Sequence, residues 1–198
     1  DRPARHSRLP RPSDLFSPAA VLPSLILLLL YIPYGMVVAF IPLVATARGI
    51  ENPGMFYAVF ATAMLLVRAK AGEISDRRGR AATIVPAMIV TGLSSLVLGL
   101  TTGPVGVLAG GALLGVGFGA AQPALMALTT DRVTPAERGK AMGTFYTAWE
   151  LGIASGAAGA GWLLNVTDFA TLFLIGAAIP IGGAFLALRA GPSASRHP

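Results

Sequence analysis

From Ala19 to Ala47 the chain carries no Asp, Glu, Lys or Arg. A helix crosses the hydrocarbon core of a bilayer with about 20 apolar residues, so this stretch alone is long enough to span a membrane. Five more apolar runs follow: Gly54 to Val67, Ala81 to Leu100, Val105 to Thr130, Ala141 to Leu164 and Phe169 to Leu188. The second is the shortest and the weakest by hydropathy, ending at Arg68 and Lys70. Charged residues make up 12% of the chain and its mean hydropathy is +0.69, whereas a soluble domain carries about 25% charge. Too few charges remain to cover a water-facing surface, which makes lipid the main solvent.

Lipid offers backbone groups no water to bond, so spanning segments are helices or closed barrels. Barrel strands alternate apolar and polar residues, and these runs are continuously apolar. The expected fold is therefore an all-α integral membrane bundle of six transmembrane helices. The expected organisation is a basic, proline-rich tail or linker over 1–17, a six-helix transmembrane domain over 18–190, and a C-terminal tail over 191–198. A basic start, an apolar run and the small residues Ala45, Thr46 and Ala47 also imitate a secretory signal peptide. The run is far longer than the about 7–15 residues of a signal core, and further spans follow. The chain begins at Asp1 rather than at methionine, which fits a fragment or a processed product.

The placement of the positive charge gives a topology. Lys and Arg near span ends stay in the cytoplasm. With the N-terminal tail inside, the inner segments hold fourteen of the fifteen basic residues, and only Arg48 lies outside. Dropping one span would scatter the later basic loops to the opposite face, so the partition supports six spans, with both termini cytoplasmic. It also disposes of a nucleic-acid partner despite the net charge of +6, because the charge is dispersed through short connectors without interleaved aromatics. With no cysteine and only His6 and His197, in opposite tails, no metal site is expected. Gly115 to Ala120 fits a dinucleotide pattern, but no strand precedes it and no acid follows about 20 residues later, so no cofactor is expected either.

Two connectors carry a family resemblance. Gly72-Glu73-Ile74-Ser75-Asp76-Arg77-Arg78-Gly79-Arg80, between the second and third spans, resembles the major facilitator superfamily pattern G-x-x-x-D-R-x-G-R-[RK], at the same register and on the same membrane side. Ala81 departs from the pattern where a further basic residue is common. Asp131-Arg132-Val133-Thr134-Pro135-Ala136-Glu137-Arg138-Gly139, after the fourth span, resembles the family's acid and arginine separated by six residues. The resemblance runs from about Phe16 to Arg189. It implies one half of a transporter built as a 3+3 repeat, a cytoplasmic gate motif of Gly72, Asp76, Arg77, Gly79 and Arg80, and an intracellular pair of Asp131 and Arg138, with Asp131 also placed to meet Arg80. Asp14-Leu15-Phe16 and Asn52-Pro53-Gly54-Met55-Phe56 look like a central linker and a seventh helix, and the fourth span lacks an arginine common in N-terminal halves. These features favour the C-terminal half.

Inside the spans, Glu150 is the informative group. An acid at the centre of a spanning helix costs about 2.5–3.5 kcal/mol on insertion scales and usually faces a cavity. It is a candidate for proton coupling, with a structural carboxylate as the plain alternative. Arg68 is its candidate partner, or simply snorkels to the surface. Gln122 beside Pro123, and Tyr146 and Trp149 beside Glu150, are the polar and aromatic groups expected to line a central cavity; Tyr31, Pro33 and Tyr34 form a kinked segment of the first span. Gly111, Gly115 and Gly119, and Gly152 and Gly156, recur every fourth residue and present smooth faces for helix contact.

The expected function is transport of a small organic solute by alternating access, proton-coupled, with efflux favoured by the resemblance and the plasma (inner) membrane as its place. The expected partners are the solute, membrane lipid and a second six-helix half, covalent or as a dimer. A non-transporting scaffold or a dimeric pore of six-helix units is the alternative. An enzyme is not expected, since no span carries a Ser and His pair, two aspartates or H-E-x-x-H.

Overall fold

The computed structural model describes residues 16–189. Apart from Phe16 and Ser17, the two expected tails lie outside the described residues. Runs of Leu, Ile, Val, Ala and Gly that must pair every backbone group internally wind into six long helices: α1 (Val21–Ala47), α2 (Gly54–Arg78), α3 (Arg80–Leu100), α4 (Pro104–Asp131), α5 (Arg138–Leu163) and α6 (Phe169–Arg189). All but α5 are long and apolar enough to cross a membrane. By its most apolar membrane-length stretch α5 is weaker than α2, although α2, with its charged end, remains the least apolar helix along its whole length. α5 has ample length at 26 residues, but Glu150 and a high glycine content dilute its apolar character.

The charged connector after the second span is helical rather than a loop. α2 runs on through Glu73 and Asp76 to Arg78, and only Gly79 interrupts it before α3 begins. Gly79 has φ 91° and ψ 156°, a backbone conformation that a residue with a Cβ rarely adopts. The second connector is looser. After Asp131 the chain passes through a single turn, Pro135–Glu137, opened by a capping box in which the Thr134 N–H donates to Glu137 Oε2 at 3.4 Å, and the Thr134 hydroxyl donates to the same oxygen at 2.9 Å.

α1 lies along α5 and α6, α4 lies along α2 and α3, α3 lies along α6, and α1 meets α4 at the centre. Lipid tails are as apolar as the core, so close packing and dispersion rather than dehydration hold such helices together. Phe56, Phe145 and Phe173 are fully buried at the crossings, with Leu27, Leu30, Leu114 and Leu125 around them. Small residues set the closest approaches. A Cβ on Gly152 would stand 2.7 Å from Tyr31 Cβ, and one on Gly156 would strike the Ile32 carbonyl. On the other crossing a Cβ on Gly119 would stand 2.5 Å from the Met64 carbonyl, and one on Gly115 would strike that of Phe60. The spaced glycines therefore mark where α5 presses on α1 and α4 on α2.

A few polar ties cross between helices. The Ser94 hydroxyl donates to the Gly110 carbonyl at 2.7 Å, joining α3 to α4. Arg48 donates to the Leu98 carbonyl at 2.6 Å, joining the end of α1 to that of α3. Ser17 N–H donates to Thr144 Oγ1 at 3.0 Å, fastening the segment before α1 to α5. α2 stands apart in one respect: it buries only Phe56, Ala71 and Ser75, so most of its circumference is left uncovered by this chain.

Candidate functional site

The first constellation forms where α2, α3 and α4 end on one side of the bundle. Because Gly79 lets α3 start one residue after α2 stops, Arg80 stands beside the last turn of α2 and opposite the last residue of α4. Its Nε donates to Asp131 Oδ2 at 2.9 Å, and its Nη1 donates to Ser75 Oγ at 3.1 Å and also to Asp76 Oδ1. Arg80 is 19% exposed in its side chain, against 70% for Asp76, so the guanidinium is the shielded hub and Asp76 its wet partner. A planar fork of donors suits this task, since one group can meet acceptors in different directions. Arg77 pairs with Glu73 at 3.1 Å on the exposed side of α2, an i,i+4 contact of small worth. Gly72 lies in the last two turns of α2 with open space about it.

The pairing of Asp131 with Arg138 does not form. Among the described residues Asp131 is ion-paired to Arg80 and Arg138 has no ion pair. The cause is geometric: the turn at Pro135–Glu137 separates the two, and Arg138 opens α5 as an exposed residue. Ser75 was not singled out by the sequence pattern, although it directly precedes Asp76 and is buried at 3% exposure.

The second constellation lies deeper. Taking 1.5 Å per helical residue, Arg68 on α2, Gln122 on α4, Tyr31 on α1, and Tyr146, Trp149 and Glu150 on α5 all sit about 12–18 Å from the end of the bundle that carries Arg80. They occupy one level of four helices, α1, α2, α4 and α5. Tyr31 stacks on Trp149 with ring centres 4.5 Å apart, and meets Phe118 edge-on at 5.0 Å. Tyr34 contacts Phe118 at 4.9 Å and Phe60 at 6.0 Å, and Tyr146 meets Trp149 at 5.7 Å. Each such ring pair contributes about 0.5–1.5 kcal/mol beyond simple burial, so the cluster is a firm wall.

By depth, Arg68 and Glu150 stand at the level of the aromatic wall. They do not pair: among the described residues no ion pair joins Arg68 to Glu150. Arg68 and Glu150 are exposed, Tyr146 is 46% exposed, and Gln122 and Trp149 are half-buried. Phe60 and Phe118 complete the wall but carry no sequence signal beyond apolarity; Phe118 could have been found from its place one turn before Gln122.

Six long helices, five of them long and apolar enough to cross a membrane, mark a multi-pass membrane protein. The Major Facilitator Superfamily model matches residues 11–198, and the chain belongs to that family, one of transporters and not of enzymes. A Pseudomonas aeruginosa (strain LESB58) protein described as an uncharacterized MFS-type transporter is 27% identical over 157 residues, covering 79% of this chain and 39% of that protein. A protein of the same description from Pseudomonas aeruginosa PAO1 matches to the same extent. The 3-(3-hydroxy-phenyl)propionate transporter of Escherichia coli (strain K12) is 31% identical over 110 residues, 56% of this chain and 27% of that protein. The chain thus spans well under half the length of the curated relatives it matches.

Proposed function

We propose that this chain is one six-helix half, the C-terminal one, of a proton-coupled secondary transporter that moves a small organic solute by alternating access. The observation that carries the reading is the belt of Arg68, Gln122, Tyr31, Tyr146, Trp149 and Glu150 at one level of α1, α2, α4 and α5. A carboxylate and a guanidinium left uncovered at that depth would face hydrocarbon at a cost of about 2.5–3.5 kcal/mol each. A second bundle laid over the belt removes that cost and turns the belt into one wall of a shared cavity near the midplane, where such transporters place their substrate sites.

Glu150 is then the proton-carrying group and Arg68 the charge facing the solute or Glu150 itself. The aromatic rings suit a planar, partly apolar solute, and the compound named in the Escherichia coli relative is the first to assay. The helix pairings support a 3+3 repeat: exchanging α1 with α4, α2 with α5 and α3 with α6 turns the α1–α5 contact into α4–α2 and the α3–α4 contact into α6–α1. The cluster of Arg80, Asp76 and Asp131 is the clamp of one access state, with Gly72, Arg77 and Gly79 shaping its turn and Arg138 free to reach the other half. The distribution of basic residues favours six crossings, including α5, with both termini cytoplasmic in the plasma membrane; efflux is the favoured direction.

The test is flux in proteoliposomes made from the protein as purified from membranes, under an imposed pH gradient. Saturable, proton-driven flux that Glu150→Gln abolishes supports the reading. Flux that does not saturate supports a pore of six-helix units, and wild-type driven flux in the Glu150→Gln variant removes Glu150 from coupling.

A further inference from the structure

α2 and α3 both pack on α4 but touch each other little, and between them opens a groove of about 420 Å³ floored by Val116 and Ala120. Its two ends differ in chemistry. Toward the Gly79 turn lie Lys70, the one charged residue among those lining the groove, and Thr83. At 1.5 Å per residue they stand about 12 and 5 Å from the turn, while Leu66, Val90 and Val116 line the groove about 15–22 Å from it.

The polar end is left unsatisfied by the protein. Thr83 is 5% exposed, and its hydroxyl oxygen, like those of Ser24 and Ser95, is buried without a hydrogen-bond partner among the described residues. Pro86 has no N–H to give the Ala82 carbonyl one turn earlier, and both residues line the same groove. Lys70 makes no ion pair among the described residues, because the neighbouring carboxylates are engaged elsewhere: Glu73 by Arg77 and Asp76 by Arg80. An unpaired cation toward the Gly79 end of an apolar slot forms the complement of an amphiphile with an anionic head.

We infer that the groove between α2 and α3 holds one phospholipid of the leaflet on the Gly79 side, its phosphate met by Lys70, whose long side chain snorkels back toward the Gly79 end, and one acyl chain along Leu66, Val90 and Val116. The cavity between halves takes no part in this site, and the inference stands whether or not the chain transports. Such a lipid would wedge α2 against α3 beside the Arg80 clamp.

Native mass spectrometry of the protein released from membranes in mild detergent tests it. Wild-type protein is expected to retain one phospholipid through delipidation; Lys70→Gln should lower that fraction roughly fivefold or more, as loss of a charge-assisted contact does, and Lys70→Arg should keep it. A photoreactive residue at position 66 should cross-link to phospholipid in the wild-type background and cease to do so with Lys70→Gln. Equal retention by Lys70→Gln, or cross-linking from position 66 to another protein segment, overturns the inference.

Discussion

Arg80 holds three acceptors from two directions, Ser75 and Asp76 on α2 and Asp131 on α4. Lysine keeps the charge but not the fork. Arg80→Lys should retain one of these contacts and lose the others, while Arg80→Ala leaves Asp131 without a counter-charge. Hydrogen bonds to charged groups contribute about 1.5–3 kcal/mol when shielded. Asp76 is mostly exposed and its share is screened by solvent, so the loss in Arg80→Ala should be on the order of 1–2 kcal/mol. The check is a thermal melt of the purified protein, with Asp131→Asn measured beside it. If the two residues act as one contact, the double variant should lose little more than either single one, whereas additive losses would show that Arg80 draws its stability from α2 alone.

At the scale of helices, the glycines of α5 divide into two kinds. Gly156 sits where a Cβ would strike the Ile32 carbonyl, whereas Gly159, three residues on, has nothing within 4 Å. Gly156→Ala should therefore force α1 and α5 apart, at a cost of about 1–3 kcal/mol for overpacking. Gly159→Ala should be neutral or stabilise by up to about 1 kcal/mol, the difference in helix propensity. Melting temperatures of the two variants should move in opposite directions or by clearly different amounts, and equal destabilisation would refute the crossing geometry. Most of this architecture was legible in the sequence, because long uncharged runs admit only helices in lipid and glycines four apart admit only a close face. The helical nature of Gly72 to Arg78 was not. Charge in a connector reads as a loop, yet an exposed helix end tolerates Glu73, Arg77 and Arg78 as readily as water does. At the site, the depth of Glu150 followed from spacing, and the meeting of Arg80 with Asp131 from the family resemblance. That Asp131 passes over Arg138, and that Arg68 and Glu150 do not pair, depends on how helices rotate about their axes, which no spacing in one chain encodes.

For the molecule as a whole, the proposed orientation makes a plain prediction, helped by the absence of cysteine from the sequence. Single cysteines replacing Arg78 and Arg138 should react with a membrane-impermeant maleimide from the same side, and one replacing Arg48 from the opposite side. Labelling Arg78 and Arg138 from different faces would break the six-crossing topology and the transporter reading with it. The junction at Gly79 bears on how such a molecule could move. A single residue joins two helices of 25 and 21 residues, leaving no slack in the chain between them. Whatever tilts α2 must carry the foot of α3 with it, as a crank carries its arm, while the angle between the two helices can open or close at that glycine.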